Sequence, residues 1–303
     1  MLLEQPSSSW KDYELIDSGN FEKLERFGKY VLIRPEPKAL WGKTLSEREW
    51  QSMAHTKFTT GAGFGKSGKE DSGTWTMLRK MEEQWVISYG KQGSLNFNLR
   101  LGLTSFKHVG VFPEQAPNWD YIYESVKEIA EKQSNVPKVL NLFAYTGAAS
   151  LAARCAGAEV SHLDSVKQVV TWARNNMEIS RQNNIHWIIE DALKFVKREV
   201  RRGNIYQGLI LDPPAYGHGP DGEEWKLEEC LFELLTCCNQ ILSPKESIMV
   251  LNLYSNGYSA VLADTLTRSS FGKNFVSLDF GELVIRDKFD KALPLSVFSR
   301  LKR

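Results

Sequence analysis

Residues 138–149 read Lys138-Val139-Leu140-Asn141-Leu142-Phe143-Ala144-Tyr145-Thr146-Gly147-Ala148-Ala149, and the fold turns on them. The first half is a short apolar run of the kind that forms a strand buried on both faces. The second half, rich in small residues as far as Gly157, reads as a helix. At their junction one glycine, Gly147, lets the main chain approach a ligand closely. A dinucleotide-pyrophosphate turn carries three glycines in a fixed pattern, so this loop suits a ligand without a pyrophosphate. Taken alone, an ordinary strand-to-helix turn reads the same way.

Downstream the alternation continues. Residues 159–164 form a strand ending in Asp164, 166–181 a helix, 186–190 a strand, and 192–201 a helix with basic residues in its last turn, which suits the helix dipole. Residues 207–211 are an apolar strand that runs into Asp212-Pro213-Pro214-Ala215-Tyr216. A long amphipathic helix over 223–241 and a buried strand over 247–253 follow. A further helix and strands near 275–285 and 295–301 come last. Alternating strands and helices of this length predict a parallel sheet covered on both faces. Ligands bind such sheets beyond the carboxyl ends of the strands, where strand order switches. Asp164, about twenty residues beyond the first strand, can accept from both hydroxyls of a ribose. Asp191, at the end of the third strand, can accept from an adenine amine. Each acid alone fits a solvated strand end or a helix N-cap equally well, but all three features in order fit a nucleoside-containing cofactor. In Asp212-Pro213-Pro214 two prolines fix the backbone and remove two amide donors. The Asp212 carboxylate and neighbouring carbonyls then face the cleft as acceptors, and Tyr216 can stack on a planar substrate.

Residues 1–105 differ. Tryptophans at 10, 41, 50, 75 and 85 and short runs such as Tyr30–Arg34, Trp85–Tyr89 and the alternating Leu95–Leu101 read as a small β-rich N-terminal domain, with the tryptophans in its core. Residues 61–73 read as a loop. Gly63-Phe64-Gly65-Lys66-Ser67 lacks the glycine spacing of a nucleotide phosphate loop, and Lys57, Lys66 and Lys69 are candidate phosphate contacts. The 303 residues hold 38 Lys+Arg against 37 Asp+Glu, a formal charge of +1; composition shows no basic footprint of a nucleic-acid binder, though a local basic face stays open. Cys155, Cys230, Cys237 and Cys238 follow no zinc or disulfide spacing. His55, His108, His162, His186 and His218 do not pair at metal-ligand spacing, so no metal is expected. With no signal-peptide pattern and no apolar run near the roughly 20 residues of a membrane span, the expected place is the cytoplasm, without a membrane partner.

Residues 105–300 resemble the class I S-adenosylmethionine-dependent methyltransferases of the large-subunit rRNA cytosine-5 type. The resemblance rests on Asn141–Gly147, Leu163-Asp164-Ser165, Ala173-Arg174-Asn175-Asn176, Asp191-Ala192 and Asp212-Pro213-Pro214. Gly110-Val111-Phe112-Pro113-Glu114-Gln115 also matches a family segment that helps close the cofactor pocket. The β-rich N-terminal region looks like that of a less characterised bacterial branch. This implies a Rossmann-like domain over 106–303, a seven-stranded, mostly parallel sheet with helices on both faces, and S-adenosylmethionine as cofactor. Phe143, Ala144, Tyr145, Thr146 and Gly147 would line its methionine part. Asp164 and Ser165 would hold the ribose, Asp191 and Ala192 the adenine. Phe112 and Gln115 would cover the pocket, and Asp212, Pro213, Pro214 and Tyr216 would lie at the acceptor.

One departure redirects the chemistry. Cytosine-5 transfer needs a thiolate to attack the ring. Where the family has that cysteine the chain reads Leu251-Asn252-Leu253-Tyr254-Ser255-Asn256-Gly257. A nitrogen acceptor already carries a lone pair and needs alignment and hydrogen-bond acceptors only. The reading is therefore methylation of a nitrogen on an RNA base, ribosomal RNA first. The rivals are methylation of a protein side chain or small molecule, and a catalytically silent cofactor-binding module.

Overall fold

The computed structural model describes residues 1–61, 72–90, 93–254 and 257–303; Gly63–Ser67, Lys66 and Lys69 lie outside them. Strand β1 (Leu2–Glu4) comes first. Strands β2 (Tyr13–Gly19), β3 (Glu22–Phe27) and β4 (Tyr30–Pro35) form an antiparallel meander. Helix α1 (Glu47–Met53) then crosses to β5 (Thr56–Thr60), parallel to β4, and β6 (Gly73–Met77) closes this five-stranded sheet. Ser46 starts α1 with a capping box: its hydroxyl accepts from the Glu49 amide, and the Glu49 carboxylate accepts from the Ser46 amide at 2.7 Å. Strands β7 (Gln84–Gly90) and β8 (Asn96–Gly102) form a hairpin. Its alternation buries Trp85, Ile87, Tyr89, Phe97, Leu99 and Leu101 on one face.

A 3-10 turn (Pro113–Gln115) leads into helix α2 (Ala116–Lys132). The large sheet follows in the expected alternation: β9 (Lys138–Leu142), α3 (Ala148–Cys155), β10 (Glu159–Asp164), α4 (Lys167–Ile179), β11 (Ile185–Ile189), α5 (Ala192–Arg202) and β12 (Gly208–Leu211). A short hairpin, β13 (Tyr216–His218) and β14 (Glu224–Lys226), precedes α6 (Leu227–Ile241). Strand β15 (Ile248–Tyr254), α7 (Ala260–Phe271), β16 (Ser277–Arg286) and β17 (Ala292–Lys302) complete the chain. The sheet order is β1-β16-β17-β15-β12-β9-β10-β11. From β9 the chain builds outward through β10 and β11, then returns to the other side of β9 with β12 and β15, all parallel. That reversal beside β9 is the switch point.

The Rossmann-like sheet stands as expected, with three differences of detail. Leu2–Glu4, assigned by sequence to the N-terminal unit, adds an eighth strand to the large sheet, parallel to β16. The Arg300 guanidinium fixes it by donating to both oxygens of Glu4 at 2.7 and 3.0 Å. Helix α6 starts at Leu227, not Glu223, because Trp225 is drawn into the core as part of β14 and Lys226 stays extended. Helix α2 was passed over, although Trp119, Ile122, Tyr123, Val126 and Ile129 are spaced for one buried face and Pro117 stands in its first turn.

The N-terminal sheet and the large sheet share one apolar core. Trp10 and Tyr89 meet Trp119 of α2 edge to face, with centroids 5.9 and 5.0 Å away. A second tie is polar. Asp17, fully buried at the end of β2, accepts from Trp50 Nε1 at 2.8 Å, from the Leu45 amide at 2.9 Å and from Lys291 Nζ at 2.7 Å, across to the β16–β17 turn. Burial alone would raise its pKa; Lys291 and these donors outweigh that, and the net shift is downward. Asp17→Ala should therefore destabilise the chain by about 3 kcal/mol, since it breaks a buried pair and orphans several donors. The contribution is complete above the ordinary aspartate range and is lost as pH falls through the lowered value. Thermal melts of variant and wild type should differ widely at neutral pH and converge in acid.

Candidate active site

At the carboxyl ends of β9 and β12 lies a half-open cavity. Val111, Phe112 and Gln115 form one wall, Phe143–Ala149 another, and Asp212 and Asn252 the end toward β15; Asn118 and Trp119 of α2 close the back. Of the cofactor residues expected from sequence, Phe112, Gln115, Phe143, Ala144, Tyr145, Thr146, Gly147 and Asp212 meet here.

The Phe143–Gly147 loop winds through the left-handed region at Phe143 (φ 54°), Tyr145 (φ 49°) and Gly147 (φ 92°). For the two aromatic residues this stores strain of roughly 1–3 kcal/mol each. The surroundings hold it. The Ala144 amide donates to Leu163 O at 3.0 Å, and the Tyr145 amide to Asp164 Oδ2 at 2.9 Å. Thr146 Oγ1 donates to Gly110 O at 2.7 Å, and Asn176 Nδ2 to Thr146 O at 2.9 Å. Asp164 also accepts the Val166 amide at 3.0 Å. Burial pushes its carboxyl up, while the Val166, Tyr145 and Ser165 amides pull it back. Asp164 and Ser165 thus stand behind the loop, not on the cavity wall. Asp191 caps α5 by accepting from the Lys194 amide at 2.8 Å, with Ala192 buried beside it; this pair is also off the wall.

Asp212 ends β12. Its Oδ1 accepts from Asn252 Nδ2 at 2.7 Å. It is half-buried and lines the cavity, packed closely by the surrounding chain. This desolvation pushes its carboxyl up to about 6, against the pull of Asn252. Pro213 and Pro214 are not part of the cavity wall, and the Pro214 carbonyl is not presented to a ligand as expected: it accepts from Trp225 Nε1 at 2.7 Å. Trp225 then packs against Phe143, centroids 4.8 Å apart, so that the Pro-Pro turn supports the Phe143–Gly147 loop through it. Tyr216 lies on the β13–β14 hairpin, 40% exposed, with its hydroxyl 2.9 Å from His218 Nε2, and is not part of the cavity wall.

Sequence reasoning missed Asn118, Asn141 and Asn252. Two of them carry a visible signal: Val-Leu-Asn-Leu occurs at 139–142 and again at 250–253, one amide inside each buried strand flanking β12. Asn141 Nδ2 donates to Ser150 Oγ, 3.0 Å from His162 Nδ1, and burial pushes that imidazole down to about 3, which keeps it neutral. No cysteine lines the cavity. Cys230, Cys237 and Cys238 lie in α6, where burial raises the latter two thiols.

Residues 109–262 match the family described as Conserved hypothetical protein 95. A solved S-adenosylmethionine-dependent methyltransferase from Agrobacterium tumefaciens is 38% identical, covers 100% of this chain and 93% of its own, and superposes with a TM-score of 0.88. The ribosomal RNA large subunit methyltransferase K/L of Pseudoalteromonas translucida is 25% identical over 208 residues, which are 67% of this chain and 27% of that protein. The chain spans about a quarter of the length of such curated relatives.

Gly110 is the most sensitive point of the loop's support. Its φ is +103°, and a Cβ there would stand 2.5 Å from the Trp172 ring. Gly110→Ala should leave a folded chain whose Thr146 latch is displaced. Calorimetry should then read S-adenosylmethionine binding weaker by about tenfold, some 1.4 kcal/mol, whereas Thr146→Ser, which keeps the hydroxyl, should bind nearly normally.

Proposed function

We propose, from the premise that this chain belongs to the Conserved hypothetical protein 95 family and is an S-adenosylmethionine-dependent methyltransferase, that it methylates a nitrogen on a base of RNA, ribosomal RNA first. The observation that carries the reading is the chemistry of the cavity end. A carboxylate and amide groups converge there, and no thiol does. Attack on a pyrimidine carbon would need that thiol; a nitrogen needs only to be aligned and its protons accepted. The ribosomal substrate is supported by the chain's similarity to the ribosomal RNA large subunit methyltransferases K/L.

The residues fit the cofactor. Phe143–Gly147 would hold the methionine part under Phe112 and Gln115. Asp164 Oδ1 and Oδ2 each accept one main-chain amide and, with two lone pairs per oxygen, keep capacity for ribose hydroxyls; Asp191 would take the adenine amine, with Ser165 and Ala192 alongside. When bound, S-adenosylmethionine supplies the methyl group: the acceptor lone pair forms the new bond as the carbon–sulfur bond breaks and its electrons stay on sulfur. Asp212 would orient the acceptor by accepting its proton-bearing side, with Pro213 and Pro214 fixing its backbone and Tyr216 at the rim toward a base that is flipped or already unpaired. Residues 1–105 and 106–303 are read as two units built around one shared core, working in the cytoplasm where ribosomes are assembled.

The test is transfer of labelled methyl to total RNA from cells lacking the protein. Wild type should label RNA, and Asp212→Ala should label it at least about 100-fold more slowly. The wild-type rate should fall as pH drops through about 6, because protonated Asp212 no longer accepts. Label found in protein or small molecules instead would overturn the RNA reading.

A further inference from the structure

We propose that His162 is a positioning residue for the cofactor wall: with its one proton on Nε2, the buried imidazole holds the Tyr145 carbonyl, and Asn141, acting through Ser150, fixes that tautomer. This rests on the reading of Phe143–Gly147 as the wall that meets S-adenosylmethionine. Asn141 in β9 and His162 in β10 are register partners, so their side chains leave the sheet on the same face. Ser150 of α3 joins them, within hydrogen-bond reach of both. All three are buried. Polar groups persist in such an interior only when bonded.

The bonding runs in one direction. Asn141 Nδ2 donates to Ser150 Oγ at 2.9 Å. The single hydroxyl hydrogen of Ser150 then has His162 Nδ1, 3.0 Å away, as its acceptor. Burial keeps the ring neutral, and a neutral imidazole that accepts at Nδ1 carries its proton on Nε2. Nε2 is itself buried, without a partner at full hydrogen-bond geometry among the described residues. The Tyr145 carbonyl is nevertheless close enough to pull the ring's pKa upward against burial. Since Nδ1 is taken by Ser150, Nε2 is the atom that meets this carbonyl.

The ring lies against the underside of the loop: a Cβ added to Gly147 would stand 3.5 Å from its Cε1. His162 and Asp164 are two places apart on β10 and share a face. Asp164 Oδ2 accepts from the Tyr145 amide at 2.9 Å, and His162 meets the Tyr145 carbonyl. Both main-chain groups of Tyr145 are thus held from one strand. Tyr145 is left-handed at φ 49°, a conformation that a tyrosine keeps only under such restraint. The other tautomer would turn the Nε2 lone pair toward the carbonyl oxygen and repel it. The chain of bonds from Asn141 through Ser150 and His162 to Tyr145 begins and ends at residues of the cavity wall.

Histidine ¹⁵N spectra and S-adenosylmethionine titrations, followed by calorimetry and amide NMR, test this on the full chain with His162→Phe, His162→Gln and Ser150→Ala. Wild-type His162 should show Nε2 protonated and Nδ1 bare, unchanged between about pH 5 and 9. His162→Phe removes the donor and should weaken S-adenosylmethionine binding about tenfold. His162→Gln places an amide donor where Nε2 stood and should recover most of that affinity. Ser150→Ala, a small change in a helix of small residues, frees the tautomer; it should give a mixed ¹⁵N pattern and an intermediate affinity, and it carries the test alone if the phenylalanine variant does not fold. A wild-type proton on Nδ1, His162→Gln binding no tighter than His162→Phe, or Ser150→Ala with unchanged pattern and affinity would overturn the proposal. If S-adenosylmethionine binds wild type without moving the Ala144–Gly147 amide resonances, the loop is not the cofactor wall and that reading fails, while a displaced Tyr145 resonance in His162→Phe still upholds the hold of His162 on Tyr145.

Discussion

The Phe143–Gly147 wall of the cavity is tied to the rest of the molecule through the side chain of Asn176. Fully buried in α4, it donates to Thr146 O at 2.9 Å and accepts from the Arg100 amide of β8 at 2.8 Å. The hairpin of the N-terminal region is thereby fastened to the loop that shapes the cofactor wall. Thr146 passes the connection on to Gly110 O, and Trp172, whose Nε1 donates to Arg100 O at 2.7 Å, packs beneath Gly110. A loop with two aromatic residues in left-handed conformations would relax if left to itself; a fully satisfied hydrogen-bond network in a poorly hydrated interior holds it. The N-terminal region is therefore part of the active-site support, not an attachment to it.

Buried acids in this chain diverge according to their partners. Glu25 is fully buried, and burial alone would raise it, but the Arg34 guanidinium at 2.6 Å, with Lys23 beyond it, holds its carboxyl below the ordinary range. Asp212 faces an amide only and rises to about 6. Glu114, next to Gln115, rises to about 7, because burial and the charges of Glu25 and Glu36 outweigh Lys23. Structural acids of the N-terminal sheet are held charged by cations, whereas those at the cavity and along its seam are left near neutrality.

Much of this was legible in the sequence. The apolar strand before Phe143, the single Gly147 and Asp212 at the end of its strand placed the cavity, because strand order in such sheets fixes where a ligand can bind, whereas Asp164, Asp191 and the two prolines stand off its wall. Strands β2 and β3 were not singled out, since their charged residues mask the alternation: Asp17, Lys23 and Glu25 are buried, Lys23 and Glu25 paired with Glu36 and Arg34 at the next strand and Asp17 with Lys291 far along the chain. Burial of charge is invisible to periodicity when the compensating residue lies far along the chain. The Pro214 carbonyl was misjudged for a similar reason. Its donor, the Trp225 indole, stands on the second strand of a hairpin whose residues read as the start of a helix.

The order of strands in the large sheet bears on how the chain reaches this form. Strand β17, synthesised after every other strand of the sheet, is not at an edge: it lies between β15 and β16, pairing with β16 along nearly its full length and with β15 over Ser296–Lys302. Strand β1, made first, can attach only to β16 and is pinned by Arg300, 296 residues later in the chain. During translation β1 thus waits for β16 and Arg300, and this edge of the sheet depends on contacts of extreme sequence separation. An emerging chain stopped short of β17 would hold β15 as an unprotected edge, a surface prone to pairing with another copy.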